Sequence, residues 1–322
     1  MATMVPGYTH VPGKHCGSTA LRNLLAFGGA ELSEEMAFGL GAGACFYHVA
    51  LDGQSPSRFT NGRTSKLEEE FVELTGSGVR LDRFDGAEAS WQAAKESVDA
   101  GRPALLLTDL YYLDHYGKSA HLPGHAVVLA GYDDEVAYLS DTAFDELQTT
   151  SLENLAQARH SRYPVYPLAG HMLTLPEPPE AAAITAAAPR AIARAAQRMI
   201  EPPLGEYEGL PGLRRFAAEV GGWPRAVDDW QWCARFNYQV IERRGTGGGN
   251  FRLMYSRFLD EVGSDQAPVA AEAAERWTAL ASALHAASEA DEPEPELWRA
   301  VAERASGVLE TEERLWPALS AA

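Results

Sequence analysis

Apolar residues recur at helical spacing in some stretches of the chain and form short unbroken runs in others. Within 18–27, Leu21, Leu24 and Leu25 share one face of a predicted helix, which Gly28-Gly29 stops. Ser33 caps a second short helix that ends in Gly39-Leu40-Gly41-Ala42-Gly43. Residues 66–74 and 87–100 read as amphipathic helices. Residues 103–107, 125–130 and 136–139 are short apolar runs flanked by Gly, Asp or Pro, which predicts strands, and 170–175 is a fourth. The turn Gly131-Tyr132-Asp133-Asp134 joins the second and third as a hairpin.

Pro176-Glu177-Pro178-Pro179-Glu180 is stiff and polar, and the domain boundary is expected there, between 1–176 and 177–322. Beyond it the chain turns to Ala, Glu and Arg, and no lysine follows Lys118. Helical periodicity runs through 181–200, 210–220, 251–262, 269–287 and 294–308. No internal repeat is evident. The expected class is α+β: a mixed N-terminal domain followed by an all-α C-terminal domain.

Length and composition fit a folded chain of two domains: 322 residues, 46% hydrophobic and 22% charged. No apolar run reaches the roughly 18 residues that a membrane span needs, and residues 1–10 lack the basic flank and apolar core of a signal peptide. Three cysteines, Cys16, Cys45 and Cys233, argue against a disulfide framework and for a reducing cytoplasm. The net charge of −18 disfavours nucleic acid, favours a cationic small molecule and opposes an acidic partner unless a local basic patch intervenes.

The candidate chemistry begins at Cys16, at the start of a predicted helix. The positive end of the helix dipole and the unpaired N–H groups there favour a thiolate; the plainer alternative is a buried packing residue. His125 opens a buried strand, and Asp141 follows the next one. If those strands are antiparallel neighbours, both side chains lie at one sheet end, as a base and its orienting carboxylate. A helix-borne Cys followed by His and Asp on successive strands is the papain-like order.

Three segments carry a resemblance. His15-Cys16-Gly17-Ser18-Thr19-Ala20-Leu21-Arg22-Asn23-Leu24-Leu25, Leu32-Ser33-Glu34-Glu35-Met36-Ala37-Phe38-Gly39-Leu40-Gly41 and Gly124-His125-Ala126-Val127-Val128-Leu129-Ala130-Gly131-Tyr132-Asp133 resemble the BtrH family, named for the acyltransferase of butirosin biosynthesis. That family's N-terminal domain resembles bacteriocin-processing cysteine peptidases of papain-like fold. Arg244-Gly245-Thr246-Gly247-Gly248-Gly249-Asn250-Phe251-Arg252 resembles the helical domain of unknown function that often follows it. The resemblance implies transfer of an acyl group from an acyl carrier protein, where phosphopantetheine holds it as a thioester, to an amine. In the namesake the acceptor is an aminoglycoside and the donor a γ-glutamylated aminobutyryl chain; the acceptor is not carried over. It implies Cys16 as nucleophile, His125 as general base and acid, and Asp141 as orienter, with no cofactor bound by the enzyme itself. One oxyanion donor is expected from the Cys16 backbone N–H. Papain-like enzymes commonly place a glutamine six residues before the cysteine as the other; here that position is His10, either a substitute donor or an ordinary loop histidine.

Other features carry two readings each. Asp109-Leu110-Tyr111-Tyr112-Leu113-Asp114-His115-Tyr116 either lines an acceptor pocket, with Asp109, Tyr111 and Tyr112 against a cationic substrate, or packs on the sheet. His115, His121 and His125 with Asp109 and Asp114 match no familiar metal-ligand spacing, and no metal is expected. The loop around Gly247 either cradles the phosphate of a phosphopantetheine arm or forms a helix cap. Arg190, Arg194 and Arg198 form a helical stripe, either a dock for an acidic carrier protein or a solvated face. Gly39–Gly43 is expected to let backbone pack closely near the nucleophile's helix, and Cys45 and Cys233 to be packing residues. The helical domain is expected to cover the site or recruit partners. The same triad also suits a thiol hydrolase, and a non-catalytic binding protein would keep the fold alone.

Overall fold

The computed structural model describes residues 1–118, 120–164 and 166–321. In chain order the elements are β1 (Thr3–Met4), α1 (Cys16–Phe27), α2 (Glu34–Leu40), β2 (Ala44–Ala50), β3 (Arg58–Arg63), α3 (Leu67–Thr75), β4 (Arg80–Asp82), α4 (Ala87–Asp99) and β5 (Ala104–Asp109). There follow β6 (Pro123–Tyr132), β7 (Val136–Ser140), β8 (Gln148–Ser151), α5 (Leu152–Arg159), β9 (Met172–Thr174) and α6 (Ala181–Thr185). Helices α7 (Ala188–Ile200), α8 (Gly209–Glu219), α9 (Trp223–Ala226), α10 (Trp230–Glu242), α11 (Arg252–Glu261), α12 (Ala267–Glu289) and α13 (Pro295–Ala321) complete the chain. No helix among the described residues is long and apolar enough to cross a membrane.

The chain divides into two units, Met1–Ala37 with Leu67–Ala187, and Phe38–Lys66 with Ala188–Ala322. The first is built on a seven-stranded antiparallel sheet ordered β4-β9-β5-β6-β7-β8, with β1 added to the end of β6. The four expected strands are β5, β6, β7 and β9. Ala126, Val127, Val128 and Leu129 of β6 are all fully buried, because a central strand covered on both faces admits an unbroken apolar run. One face packs Leu106, Val127, Leu129 and Leu139 against Val98 of α4 and Leu155 of α5.

The boundary expected at 176/177 is not where this division falls. Leu175 and Pro179 press on the end of α1, where a Cβ on Gly28 would meet them at 2.3 and 2.8 Å. Helix α6 packs on α3. These contacts hold the proline segment and α6 in the first unit, and the helix expected over 181–200 breaks between α6 and α7.

The second unit is helical apart from the β2–β3 hairpin, which the sequence reading assigned to the N-terminal domain. The hairpin belongs here because its backbone is bound by distant side chains. Asn237 of α10 accepts from the Thr60 amide at 2.8 Å and donates to the Arg58 carbonyl at 2.9 Å. Arg252 of α11 donates to the Cys45 and Gly62 carbonyls, both at 2.9 Å. Gly39, from the glycine run, lies on the Phe258 ring of α11, where a Cβ would come within 2.0 Å. Long helices α12 and α13 pack together around buried Trp277 and Trp316. Between them Glu312 pairs with Arg252, both wholly buried, at 2.8 Å.

Candidate active site

Cys16 is the first residue of α1 and partly exposed. The turn before it is fixed from two sides. His15 caps the helix, its Nδ1 accepting from the Ser18 amide at 3.3 Å. Glu34, the first residue of α2, accepts from the amides of Lys14 (3.0 Å) and His15 (2.7 Å) and from the hydroxyls of Ser18 (3.2 Å) and Thr19 (3.1 Å). This buried carboxylate takes up the donors on either side of Cys16. The amides of Cys16 and Gly17 have no acceptor among the described residues, so two adjacent N–H groups stand open at the helix start, where the dipole favours negative charge. A Cβ at Gly17 would lie 2.2 Å from the Glu68 carboxylate, which would have to shift to admit it.

His125 and Asp141 meet at one sheet end, as the hairpin reading predicts. Strands β6 and β7 pair antiparallel with Val128 opposite Ser140, and His125 Nε2 lies 2.9 Å from Asp141 Oδ2. A carboxylate only accepts, so Nε2 carries the proton and Nδ1 is left for the thiol. The Cys16 thiol lies beside the His125 ring, close enough for each group to shift the other's pKa. Burial pulls the Cys16 pKa up, but the rings of His15 and His125 beside the thiol outweigh it and hold the group well below the ordinary thiol range. Burial likewise pulls His125 down, yet the negative charge of Asp141 and its hydrogen bond raise it well above the usual imidazole value. Asp141 is held low despite its burial, by His125 and His115. The stable form is therefore thiolate and imidazolium, backed by a carboxylate.

The sequence reading missed how tightly Asp141 is gripped. His115 Nε2 donates to Oδ2 at 3.0 Å, with its Nδ1 3.3 Å from the Thr150 hydroxyl, and Tyr116 donates to Oδ1 at 3.3 Å. The Tyr116 and Phe144 rings close over the group, edge-on to His125 and His115 respectively. Both donors sit in the Asp109–Tyr116 segment, for which the sequence suggests pocket lining or packing on the sheet and no hold on Asp141.

Four other expectations need correction. His10 has no ring N–H to offer an oxyanion: Nε2 donates to the Phe144 carbonyl at 2.8 Å, and Nδ1 shares the Ser140 hydroxyl at 2.7 Å. It fastens the N-terminal loop to the chain around Asp141. Asp109 is fully buried and accepts from His121 (2.8 Å), Ser161 (2.7 Å) and the amides of Leu122 (2.9 Å) and Tyr111 (3.2 Å), so it orients His121 rather than reaching a substrate. Tyr111 and Tyr163 stack on the two sides of the His121 ring, with centroids at 4.1 and 4.6 Å, while Tyr112 packs on the core. Gly247 belongs to the second unit, and its loop does not present a row of amides. Gly248 donates to Thr246, Gly249 to Glu242 and Asn250 to the Ile241 carbonyl. Gly249 is required by close approach to α12, where a Cβ would meet Ala274 backbone at 2.5 Å. Arg198 is drawn inward to Thr64 and Glu208, and neither Arg190 nor Arg194 is a free cation. Among the described residues no three His, Cys, Asp or Glu side chains are grouped to hold a metal ion.

Comparison with known families supplies two matches. The family model for butirosin biosynthesis protein H, N-terminal, matches residues 15–142, and a domain of unknown function (DUF4872) matches residues 153–319. No curated protein matches the chain. Among solved structures, a protein described as a C39-like peptidase from Bacillus anthracis is similar at 15% identity and a TM-score of 0.38, over 56% of this chain and 100% of its own.

Proposed function

We propose, for a chain that belongs to the butirosin biosynthesis protein H family and carries the DUF4872 domain behind the N-terminal one, that it transfers an acyl group from a carrier-protein thioester to an amine through Cys16. The observation that supports this most is His125, beside the Cys16 thiol and hydrogen-bonded to Asp141. A family of biosynthetic proteins gives this cysteine chemistry a synthetic rather than a degradative setting.

In this reading the Cys16 thiolate attacks the thioester carbonyl carbon. The oxyanion forms against the amides of Cys16 and Gly17. Collapse breaks the carbon–sulfur bond to the phosphopantetheine thiol, which leaves with the proton of the His125 imidazolium. Exchange of one thioester for another is nearly neutral in energy, so the step needs position more than driving force. The amine then attacks the acyl-enzyme, His125 Nδ1 takes a proton from its nitrogen, and the Cys16 thiolate departs. The products are an amide, a free carrier thiol and the starting enzyme. Asp141 steadies the imidazolium in both halves and does not itself take the proton.

The test is intact-mass detection of an acyl adduct after mixing the full chain with an acyl-loaded carrier protein. The adduct is expected in the native chain, absent in Cys16→Ala, and discharged by an added amine with formation of the amide. Transfer that persists undiminished in Cys16→Ala excludes the mechanism. Release of free acid in the presence of abundant amine identifies a hydrolase instead.

A further inference from the structure

Helix α10 turns Cys233, Ala234, Asn237 and Ile241 inward. Tyr238 and Gln239 come three and four residues after Arg235, on another face. Arg243 and Arg244 come directly after the helix end, and His285 stands on the last turns of α12, which packs beside α10. These six residues line a hollow of about 430 Å³ in the second unit.

The charges around this hollow are unevenly answered. Arg235 is neutralised at the rim by Glu289 and also donates to Ser288 at 3.0 Å. His285 lies 3.8 Å from the same Glu289 and packs on the Tyr238 ring at 4.3 Å. Arg244 has no carboxylate partner among the described residues. It donates to the neutral Gln239 amide oxygen at 2.7 Å, rests over the Phe236 ring at 4.6 Å and has its pKa pulled down by burial alone. Arg243 is exposed and meets no carboxylate among the described residues. The chain has 45 acidic residues against 27 basic ones, so two adjacent unneutralised guanidiniums facing one hollow are out of keeping with the rest of the molecule. The negative end of α10 accounts for basic residues at its C-terminus. It does not account for their convergence with Arg235 and with His285 of another helix.

We infer that the α10–α12 hollow is a binding site for a phosphate group, with Arg243 and Arg244 as its charged arms and the Tyr238–His285 pair as its floor. Guanidinium forks suit phosphate oxygens, and a dianion there would supply the missing counter-charge. The phosphate comes either as a free polyanion or as the ester of a larger molecule such as coenzyme A. The inference does not depend on Cys16 or on the acyl-transfer reading.

Isothermal titration of the full chain at low salt, with inorganic pyrophosphate and with coenzyme A, tests it. Saturable binding is expected for at least one of the two, each displacing the other where both bind. It should weaken about tenfold in Arg243→Ala and in Arg244→Ala, recover partly in Arg244→Lys, and fall as salt rises. Both side chains lie outside the buried core, and an unchanged unfolding midpoint confirms that the variants fold. Tighter binding of pyrophosphate identifies a free polyanion as the ligand, and tighter binding of coenzyme A identifies an ester. The assignment is overturned if neither binds, or if both alanine variants bind as tightly as the native chain.

Discussion

Cys16 and Cys45 sit in different units, and their neighbours push their thiols in opposite directions. For both, burial alone would raise the pKa. Cys45 faces the Glu208 carboxylate at 3.4 Å, whose negative charge adds to burial and pushes it up to about 12. Cys16 faces two histidines and is driven down instead. The sign of the neighbouring charge, not the depth of burial, separates an inert thiol from an activated one. A pKa lowered by folding means that the thiolate persists as pH falls, until the folded value is crossed. Iodoacetamide at pH 6 should therefore label Cys16 and leave Cys45 untouched, with a rate ratio of at least about 10³, read by peptide mass mapping. A Cys16 labelling rate that rises only above pH 8, as for an ordinary thiol, would remove the activated thiolate.

The same contrast separates the buried charges of the two units. Glu312 is saturated: Arg252 donates to both of its oxygens, Trp277 to Oε1 at 2.7 Å and Trp316 to Oε2. Arg252 is in turn spent on backbone carbonyls of the β2–β3 hairpin. Every nitrogen of the guanidinium and both oxygens of the carboxylate already have a protein partner, so this network is structural. At Cys16 the open amides leave the network incomplete, as the proposed oxyanion site requires. Glu312→Gln should cost about 3–5 kcal/mol of stability, because the guanidinium stays buried without its counter-charge. Urea unfolding measures the loss, and a change below about 1 kcal/mol would mean that packing rather than charge holds this core.

The three residues of the proposed chemistry were legible because each is marked locally. A cysteine opens an apolar helical repeat, a histidine opens an unbroken apolar run, and an aspartate closes the next run after a turn. Their partners were not legible. Nothing near Glu34 indicates that it binds the amides of Lys14 and His15, because that contact exists only once α2 folds back on α1. The allegiance of β2 and β3 was hidden for the same reason: Asn237 and Arg252 bind that hairpin across separations of 177 to 207 residues. A strand's own sequence states its alternation and not its neighbour. His10 shows a further limit, since its position invited a role that its two occupied ring nitrogens deny.

The grip on Asp141 gives the finest test of how the first network works. Asp141→Asn removes the charge that raises His125, so the imidazolium becomes less stable and the thiolate loses its partner. Transfer should fall roughly 100-fold, and the pH at which Cys16 is half-labelled should move upward. Tyr116→Phe keeps that charge and the His115 hydrogen bond and removes only the weak contact to Oδ1. Its effect should be only a few-fold, about that of one neutral hydrogen bond, with the labelling profile nearly in place. A Tyr116→Phe variant as impaired as Asp141→Asn, but with an unshifted labelling profile, would show that Tyr116 acts on the substrate rather than through the carboxylate. A Tyr116→Phe profile shifted as far as that of Asp141→Asn would show instead that the carboxylate depends on this hydroxyl for its position. Labelling reads the thiol without any acyl donor, so either result stands apart from the identity of the substrate.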